Sequence, residues 1–304
     1  MNIVKGKQQR AQRVVIYGVE SVGKSTFASQ FPNPLFLDVE GGTAHLDTDR
    51  VEVATLADLE GALAACRTTD YSTIVIDSAD WAERLVLEGM LAQDRKKSVE
   101  DYGFGKGFVM LAERFSRLLK AADGLISAGK NVVFVAHSKV QKVEPPDLLA
   151  AYDRYELKLT KQSAPLLKEW ADELWFFRFK TKTVESSSGR AKGVGGKERV
   201  ILTTHSAAYD AKTRSGLPEE LPMTWESVAH LFSAPVAKAA PVVEIPAWQV
   251  PVYENEDDVT AFLVAKGQIQ QGQAWQDCSA KALARIESNV DGFLKTVKEW
   301  KEQA

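Results

Sequence analysis

The sequence predicts an α/β protein with a mainly parallel central sheet flanked by helices, and a small helical appendage at the C-terminal end. Apolar runs of buried-strand type alternate with segments of helical periodicity along most of the chain. A glycine-rich loop joins the first of these runs to the first helical segment, and two later runs end at an acidic residue. Alternating strands and helices favour a parallel sheet that is covered on both faces.

The loop GVESVGKST, residues 18–26, follows the apolar run 14–17 and precedes a helix-compatible segment, 27–31. It fits the pattern G-x-x-x-x-G-K-[ST], whose glycines let successive N–H groups converge on phosphate oxygens at a helix N-terminus. We expect Lys24 to reach the β- and γ-phosphates of ATP, and the Ser25 hydroxyl to be a Mg²⁺ ligand. The predicted nucleotide-binding residues are Gly18, Val19, Glu20, Ser21, Val22, Gly23, Lys24, Ser25 and Thr26.

Further predicted strands are 35–39, 51–54, 71–77, 131–137 and 173–179, with helices at 56–66, 81–91 and 107–128. Residues 138–172 are predicted to be irregular. Asp77 ends the predicted strand 71–77, where it is a candidate to hold Mg²⁺ through water. Glu40 follows the second strand and is the candidate to activate the attacking water; an ordinary turn acid beside Gly41 is the alternative.

The later part of the chain changes in composition. Residues 184–196 are rich in Ser and Gly, which favours a flexible hairpin tip before a strand at 199–204. Four prolines in 233–252 favour an extended linker. We therefore predict an ATPase core at 1–232, a linker at 233–252 and a helical module at 253–304, whose helices would run from Asp257 or Asp258 to Ala265 and over 279–303.

Composition limits the class of protein. The 304 residues are 45% hydrophobic and 26% charged, and the net charge of −3 argues against a wholly basic nucleic-acid binder. Two isolated cysteines and four scattered histidines indicate neither a disulfide framework nor a zinc site. The N-terminus lacks an apolar signal region, and no run of about 18 apolar residues occurs, so we expect a cytoplasmic protein without membrane association.

Several motifs resemble those of RecA-family recombinases. The resemblance covers the loop with its internal Glu20-Ser21, the strand 36–40 that bears the family's catalytic glutamate, and the metal-binding Asp77-Ser78 pair. It places His137 where the family has a Gln that senses the γ-phosphate. Residues 210–218 are similar to the Lys-x-Arg element of DnaB-type helicases, which implies that Lys212 and Arg214 reach into a neighbouring subunit of a ring or filament.

As a whole, residues 10–232 most resemble bacteriophage-encoded RecA-like ATPases that act as single-strand annealing proteins. This implies a role on single-stranded DNA in phage recombination, inside an infected or lysogenic bacterial host. In RecA-like folds the DNA loops follow the sensor strand, which makes Lys139, Lys142, Lys158 and Lys161 the nucleic-acid candidates. The alternatives are a helicase or translocase motor, and a nucleotide-switched adaptor that recruits a single-strand-binding or other replication or recombination protein through its tail.

Overall fold

The computed structural model describes Gly6 and residues 10–144, 150–185, 191–232, 256–270 and 290–303. Contacts divide the chain into two compact units, Met1–Val242 and Val243–Ala304. The predicted linker 233–252 lies outside the described residues. No helix in the described ranges combines the length and the apolarity that crossing a membrane requires.

The first unit is built on one sheet, in which ten strands belong to the described residues. They are β1 Arg13–Gly18, β2 Pro34–Asp38, β3 Asp49–Glu52, β4 Thr73–Asp77, β5 Asn131–Val143, β6 Tyr152–Leu157, β7 Glu173–Glu185, β8 Ala191–Leu202, β9 Lys212–Thr213 and β10 Glu220–Pro222. The order is β10-β8-β7-β1-β5-β4-β2-β3, with β6 beside β5 and β9 beside β7. The strands from β7 to β3 are parallel, whereas β6, β8, β9 and β10 join by antiparallel pairing.

Helices connect the strands and cover the sheet. They are α1 Lys24–Ala28, α2 Leu56–Cys66, α3 Ala79–Gln93, α4 Lys106–Ser127 and α5 Ser163–Trp170. Because successive side chains of a strand point to opposite faces, β1 divides its residues between two cores: Val15 and Tyr17 face the helices α2 to α5, while Val14 and Ile16 face α1 and the turns near Trp225. The predicted α/β class with a mainly parallel sheet is confirmed.

The prediction of irregular structure over residues 138–172 is wrong. Strand β5 continues past the core to Val143 and pairs antiparallel with β6, and α5 follows. We call residues 138–143 of β5 together with β6 the β5–β6 arm. Both faces of this arm are largely half-exposed, so the β5 part carries Ser, Gln and Lys among its valines and lacks the apolar run that marks a buried strand. The predicted flexible tip at 184–196 is also too long, because β7 extends to Glu185 and β8 begins at Ala191.

The second unit contains α6 Glu256–Ala265 and α7 Val290–Gln303. The helix predicted to end at Ala265 is present, and α7 covers the latter part of the second predicted helix, since residues 279–289 are not described. Its small core joins Phe262 and Leu263 of α6 to Val297 of α7, and the Trp300 ring packs against Phe262.

Candidate nucleotide-binding site

The candidate residues meet at the carboxyl-terminal edge of the sheet. Strands β1, β5, β4 and β2 are adjacent and parallel. The last residues of β1, β4 and β2 therefore lie side by side with the point where β5 leaves the core: Gly18 is level with His137, and Asp77 is level with Asp38. Ligands of open parallel sheets bind at this edge. The topology therefore brings together residues that are up to 119 positions apart in the chain, as for Gly18 and His137.

The loop after β1 is closely packed against its neighbours. A Cβ at Gly18 would collide with the carbonyl oxygen of Phe177 on β7, and the N–H of Val19 donates to that same oxygen at 3.3 Å. Gly23 has a φ of 96°, and a Cβ there would lie 2.9 Å from a guanidinium nitrogen of Arg199 on β8. Both positions thus require glycine. In the rest of the loop Val22 is buried, and the exposed residues are Glu20, Ser21 and Thr26.

Lys24 begins α1 and is only 7% exposed. Its amine donates to the carbonyl oxygens of Gly18 at 3.3 Å and Val19 at 3.2 Å, which are long distances for a charged donor. Burial lowers the pKa of the amine, although the nearby acids, Asp77 first among them, oppose this shift. The ammonium group is thus held loosely in an acidic setting, and phosphate oxygens would be stronger acceptors for it.

Asp77 and Ser25, the two predicted Mg²⁺ ligands, lie close to each other, and Asp77 is 5% exposed. Burial raises the pKa of Asp77 to about 6, and its interaction with the Ser25 hydroxyl only partly offsets the rise. A hydroxyl and a carboxylate are the oxygen donors that Mg²⁺ prefers, so these residues fit the ion. When bound, Mg²⁺ supplies positive charge to nucleotide phosphates.

Glu40 lies just beyond β2, across from Asp77. Its N–H donates to the Asp77 carbonyl at 3.2 Å, and its carboxylate oxygen Oε2 accepts from the buried Ser78 hydroxyl at 3.1 Å. The peptide bond between Asp77 and Ser78 is cis. The Glu40 side chain remains 31% exposed, so its carboxylate is held in place and yet accessible to water.

Sequence reasoning missed Asp38, which shapes the turn after Glu40. The buried Asp38 carboxylate accepts from the N–H groups of Gly41 at 2.8 Å, Gly42 at 3.2 Å and Thr43 at 3.0 Å. An Asp that precedes a Gly-Gly turn by three residues is a signal for such capping of backbone N–H groups. Asp38 therefore fixes the main chain that carries Glu40.

His137 ends the core part of β5 and is oriented by a second residue that the sequence did not reveal, Asp80 of α3. Its Nδ1 lies 2.9 Å from Asp80 Oδ2, and its Nε2 lies 3.8 Å from Glu40 Oε1. The hydrogen bond to Asp80 raises the pKa of His137 above its ordinary value, although burial opposes the rise. Asp80 opens a helix, where an acid is common for reasons unrelated to function, so its sequence context gave no signal.

Lys212 and Arg214 lie at the other edge of the sheet. Strand β9 pairs with β7 at Glu173 and Leu174, beside the beginning of β1. The Lys212 amine donates to the carbonyl of Lys168 at 2.6 Å, near the end of α5, and burial lowers its pKa. Arg214 is 55% exposed and pairs with Asp172 at 2.7 Å. Within one chain, then, this pair does not join Lys24, and action on a neighbouring subunit stays a prediction.

The four DNA candidates lie on or just after the β5–β6 arm, which leaves the sheet at the candidate site. Lys142, Lys158 and Lys161 are exposed, whereas the Lys139 amine donates to the Leu159 carbonyl at 2.6 Å. The main-chain N–H of Lys158 donates to the carbonyl of His137 at 2.9 Å. The arm is therefore attached directly to a tip of the candidate site.

The aromatic residues near this arm belong to the core. Tyr155 packs against Phe176, with ring centres 5.0 Å apart, and Trp170 packs edge-on against Phe134 at 5.3 Å. Trp175, Phe176 and Phe177 are fully buried, so they are sheet core.

The fold and this edge define an α/β domain of the P-loop ATPase class. A family model described as an AAA domain matches residues 10–215, which is more than half of the chain. The chain belongs to this AAA-domain family, and membership indicates a nucleotide-binding ATPase. No curated protein matches the chain in a similarity search.

Proposed function

We propose that the protein binds ATP with Mg²⁺ and hydrolyses it at the carboxyl-terminal edge of its sheet. The observation that carries this proposal is the convergence of Lys24, the Ser25–Asp77 pair and Glu40 within one set of strand ends. In the proposal Lys24 neutralises phosphate charge, Ser25 and Asp77 hold the metal, and Glu40 accepts a proton from the attacking water. His137 contacts Glu40 and takes the place of the γ-phosphate sensor.

The test separates nucleotide binding from hydrolysis. Binding of a fluorescent ATP analogue and release of phosphate are measured with Mg²⁺, with excess chelator, and after Mg²⁺ is restored. We expect hydrolysis to stop without the metal and to return with it. Hydrolysis that continues in chelator would contradict the assignment of Ser25 and Asp77, and failure to bind any nucleoside triphosphate would contradict the whole proposal.

We further propose that nucleotide controls an oligomer of this protein on single-stranded DNA, and that the activity is annealing in phage recombination. Two features support this role. One is the resemblance described above; the other is the β5–β6 arm, which is flanked by exposed lysines and is attached to His137 through the main-chain N–H of Lys158. Phosphate contacts by such lysines release counterions, so binding should weaken as salt increases.

The DNA proposal is tested with Lys142, Lys158 and Lys161 replaced together by Ala. We expect weaker binding to a fluorescent single strand, a flatter salt dependence, and unchanged ATP binding without DNA. Lys139→Ala is tested separately, because that amine is already bonded to a main-chain carbonyl. The matched control replaces three exposed cations of α4 and the segment before it, Lys97, Arg117 and Lys120. Equal losses in both triple variants would contradict a DNA-binding arm.

Annealing itself needs its own assay, which compares the pairing rate of complementary strands with and without protein and ATP. Faster pairing of strands without unwinding of duplex is the expected result. ATP-dependent unwinding would identify a motor instead. If the protein neither anneals strands nor unwinds duplex, the adaptor alternative is favoured.

A further inference from the structure

Asp80 is engaged mainly with one histidine. It lies in the first turn of α3, its side chain is 8% exposed, and both of its carboxylate oxygens contact His137. Oδ1 accepts from the main-chain N–H of His137 at 3.1 Å, and Oδ2 lies 2.9 Å from the ring nitrogen Nδ1. A carboxylate that binds the backbone and the ring of the same residue fixes both the main chain of β5 at His137 and the direction of the imidazole.

This contact determines where the ring protons lie. An ionised carboxylate only accepts hydrogen bonds, so Nδ1 must carry a hydrogen, which leaves Nε2 directed at Glu40 Oε1, 3.8 Å away. The other oxygen of Glu40 accepts from the Ser78 hydroxyl at 3.1 Å. The carboxylate of Glu40 therefore has Ser78 on one oxygen and His137 facing the other.

We propose that Asp80 is a positioning residue, which orients the His137 imidazole so that His137 and Ser78 together hold the Glu40 carboxylate in place. The inference rests on the proposed hydrolysis for its effect on turnover, but the orientation of His137 does not depend on that function. The arrangement joins three neighbouring strands through side chains, since Glu40 follows β2, Ser78 follows β4 and His137 lies on β5 where that strand leaves the core.

The charges around His137 determine how this contact depends on pH. Asp80 on α3 and Glu40 after β2 both favour the protonated imidazole, whereas Lys24 on α1 and burial disfavour it. The balance raises the pKa of His137. A protonated Nε2 attracts the Glu40 carboxylate, while a deprotonated Nε2 presents a lone pair to it. The attraction between His137 and the Glu40 carboxylate is therefore strongest below the raised pKa of His137. Turnover should fall as pH rises through that pKa.

The first experiment measures kcat and KM for ATP against pH in the full chain. In Asp80→Asn the amide oxygen still accepts from Nδ1 but the negative charge is gone, so the alkaline fall in kcat should begin at lower pH. We expect kcat near pH 7.5 to drop by about tenfold with KM almost unchanged. In His137→Gln the alkaline fall should disappear, because Gln does not titrate in this range.

The double variant Asp80→Asn/His137→Gln distinguishes positioning from a general structural role. If Asp80 acts through His137, its replacement should change kcat by less than about twofold once His137 is Gln. An equal loss in both backgrounds, or an alkaline limb that Asp80→Asn does not move, would overturn the inference.

The second experiment follows the imidazole of His137 by NMR without nucleotide; with four histidines in the chain, His137→Gln assigns the signal. In the wild-type protein we expect a hydrogen on Nδ1 and a pKa above the ordinary value for histidine, and a lower pKa in Asp80→Asn. A wild-type His137 that titrates at or below the ordinary value would refute the orientation, even if Asp80→Asn does not fold. A raised pKa in a protein that hydrolyses no ATP would refute the proposed function and leave the orientation of His137 standing.

Discussion

Two buried lysines at opposite ends of the central sheet illustrate the difference between the candidate site and the supporting structure. Lys24 follows β1 at the carboxyl-terminal edge, and Lys130 precedes β5 at the other edge; each is 7% exposed, and each amine donates to two main-chain carbonyls. For Lys24 the two distances are 3.3 and 3.2 Å, but for Lys130 they are 2.5 and 2.7 Å. The same type of residue is thus held loosely at one end and tightly at the other.

The difference follows from what surrounds each amine. Lys130 joins the start of β5 to the carbonyls of Thr69 and Tyr71, just before β4, so its bonds tie two adjacent strands together. Lys24 instead lies near Asp77, Asp80 and Glu40, and its long bonds to the loop can be exchanged for bonds to phosphate. The short contacts of Lys130 therefore belong to the supporting structure, whereas the long contacts of Lys24 leave its amine available to a ligand.

The largest effect should come from Lys24→Ala, which we expect to abolish ATP turnover in a folded protein, because the ammonium stabilises charge on the phosphates in the transition state. Lys130→Ala is the matched control. It should keep kcat per folded molecule but lower the free energy of unfolding by about 1–3 kcal/mol, since buried hydrogen bonds are lost. Phosphate release and urea unfolding measure the two quantities. Near-normal turnover in Lys24→Ala would remove the distinction between the two lysines.

Arg214→Ala tests whether the distant edge completes a site on another subunit. We expect hydrolysis to fall by roughly 10³-fold or more while ATP binding persists, if the guanidinium acts in trans with Lys212. Arg10→Ala is the control, because Arg10 pairs with the same Asp172 oxygen at the same distance of 2.7 Å. It should leave turnover almost unchanged.

Mixing identifies the subunit on which Arg214 acts. Lys24→Ala chains retain Arg214, and Arg214→Ala chains retain the phosphate-binding loop, so one complete site should form where the two meet. Activity should reappear after subunit exchange. Mixed oligomers that form but stay inactive would rule out action in trans.

Glu40→Gln should lower kcat by about 10²-fold with little change in ATP binding, because the amide keeps the hydrogen bond from Ser78 but cannot accept a proton from water. Glu52→Gln provides the comparison. Glu52 lines the same cavity of about 300 Å³ as Glu40 but belongs to β3, and its replacement should change kcat by less than about twofold. Loss of nucleotide binding in Glu40→Gln would reassign Glu40 to a structural role.

The smallest predicted effect concerns Asp77 and stability. Its pKa is raised from 3.8 to about 6, so above that pH the folded protein holds a buried charge that the unfolded chain exposes to water. Asp77→Asn should therefore stabilise the metal-free protein by up to about 3 kcal/mol at pH 8, and the gain should vanish as pH falls to about 4. Urea unfolding in chelator at both pH values is the measurement. An equal gain at pH 4 and pH 8 would show that the charge of Asp77 is not its cause.

The sequence predicted the strand ends well because they carry strong local signals. Each buried strand is a run of apolar residues, Val- and Ile-rich in β1, β4 and β5 and rich in Leu or aromatic residues in β2 and β7. The loop at 18–26 has glycines whose need is steric, as Phe177 beside Gly18 shows. Parallel pairing then places Asp77 and Glu40 at one edge without further information. The strand ends and the loop can therefore be predicted from local sequence, together with the general rule that the carboxyl-terminal ends of parallel strands lie at one edge of the sheet.

The missed parts depend on partners that are far away in sequence. Asp80 is informative only because His137, 57 residues later, lies against it, and the β5–β6 arm is stabilised by pairing that its polar sequence does not announce. The resemblance implied that Lys212 and Arg214 reach into a neighbouring subunit, but it did not say where they lie in their own chain. Their position depends on the pairing of β9 with β7, which no local sequence pattern encodes.

The aromatic packing behind the phosphate-binding loop has a practical consequence for spectroscopy. Phe27, in α1, lies edge-on to Trp175 at 6.4 Å and to Trp225 at 6.3 Å, while Trp175 is wholly buried. A shift of α1 on phosphate binding would change the surroundings of both indole rings at once. We therefore expect the intrinsic fluorescence of the protein to report nucleotide occupancy, with no dye or label attached.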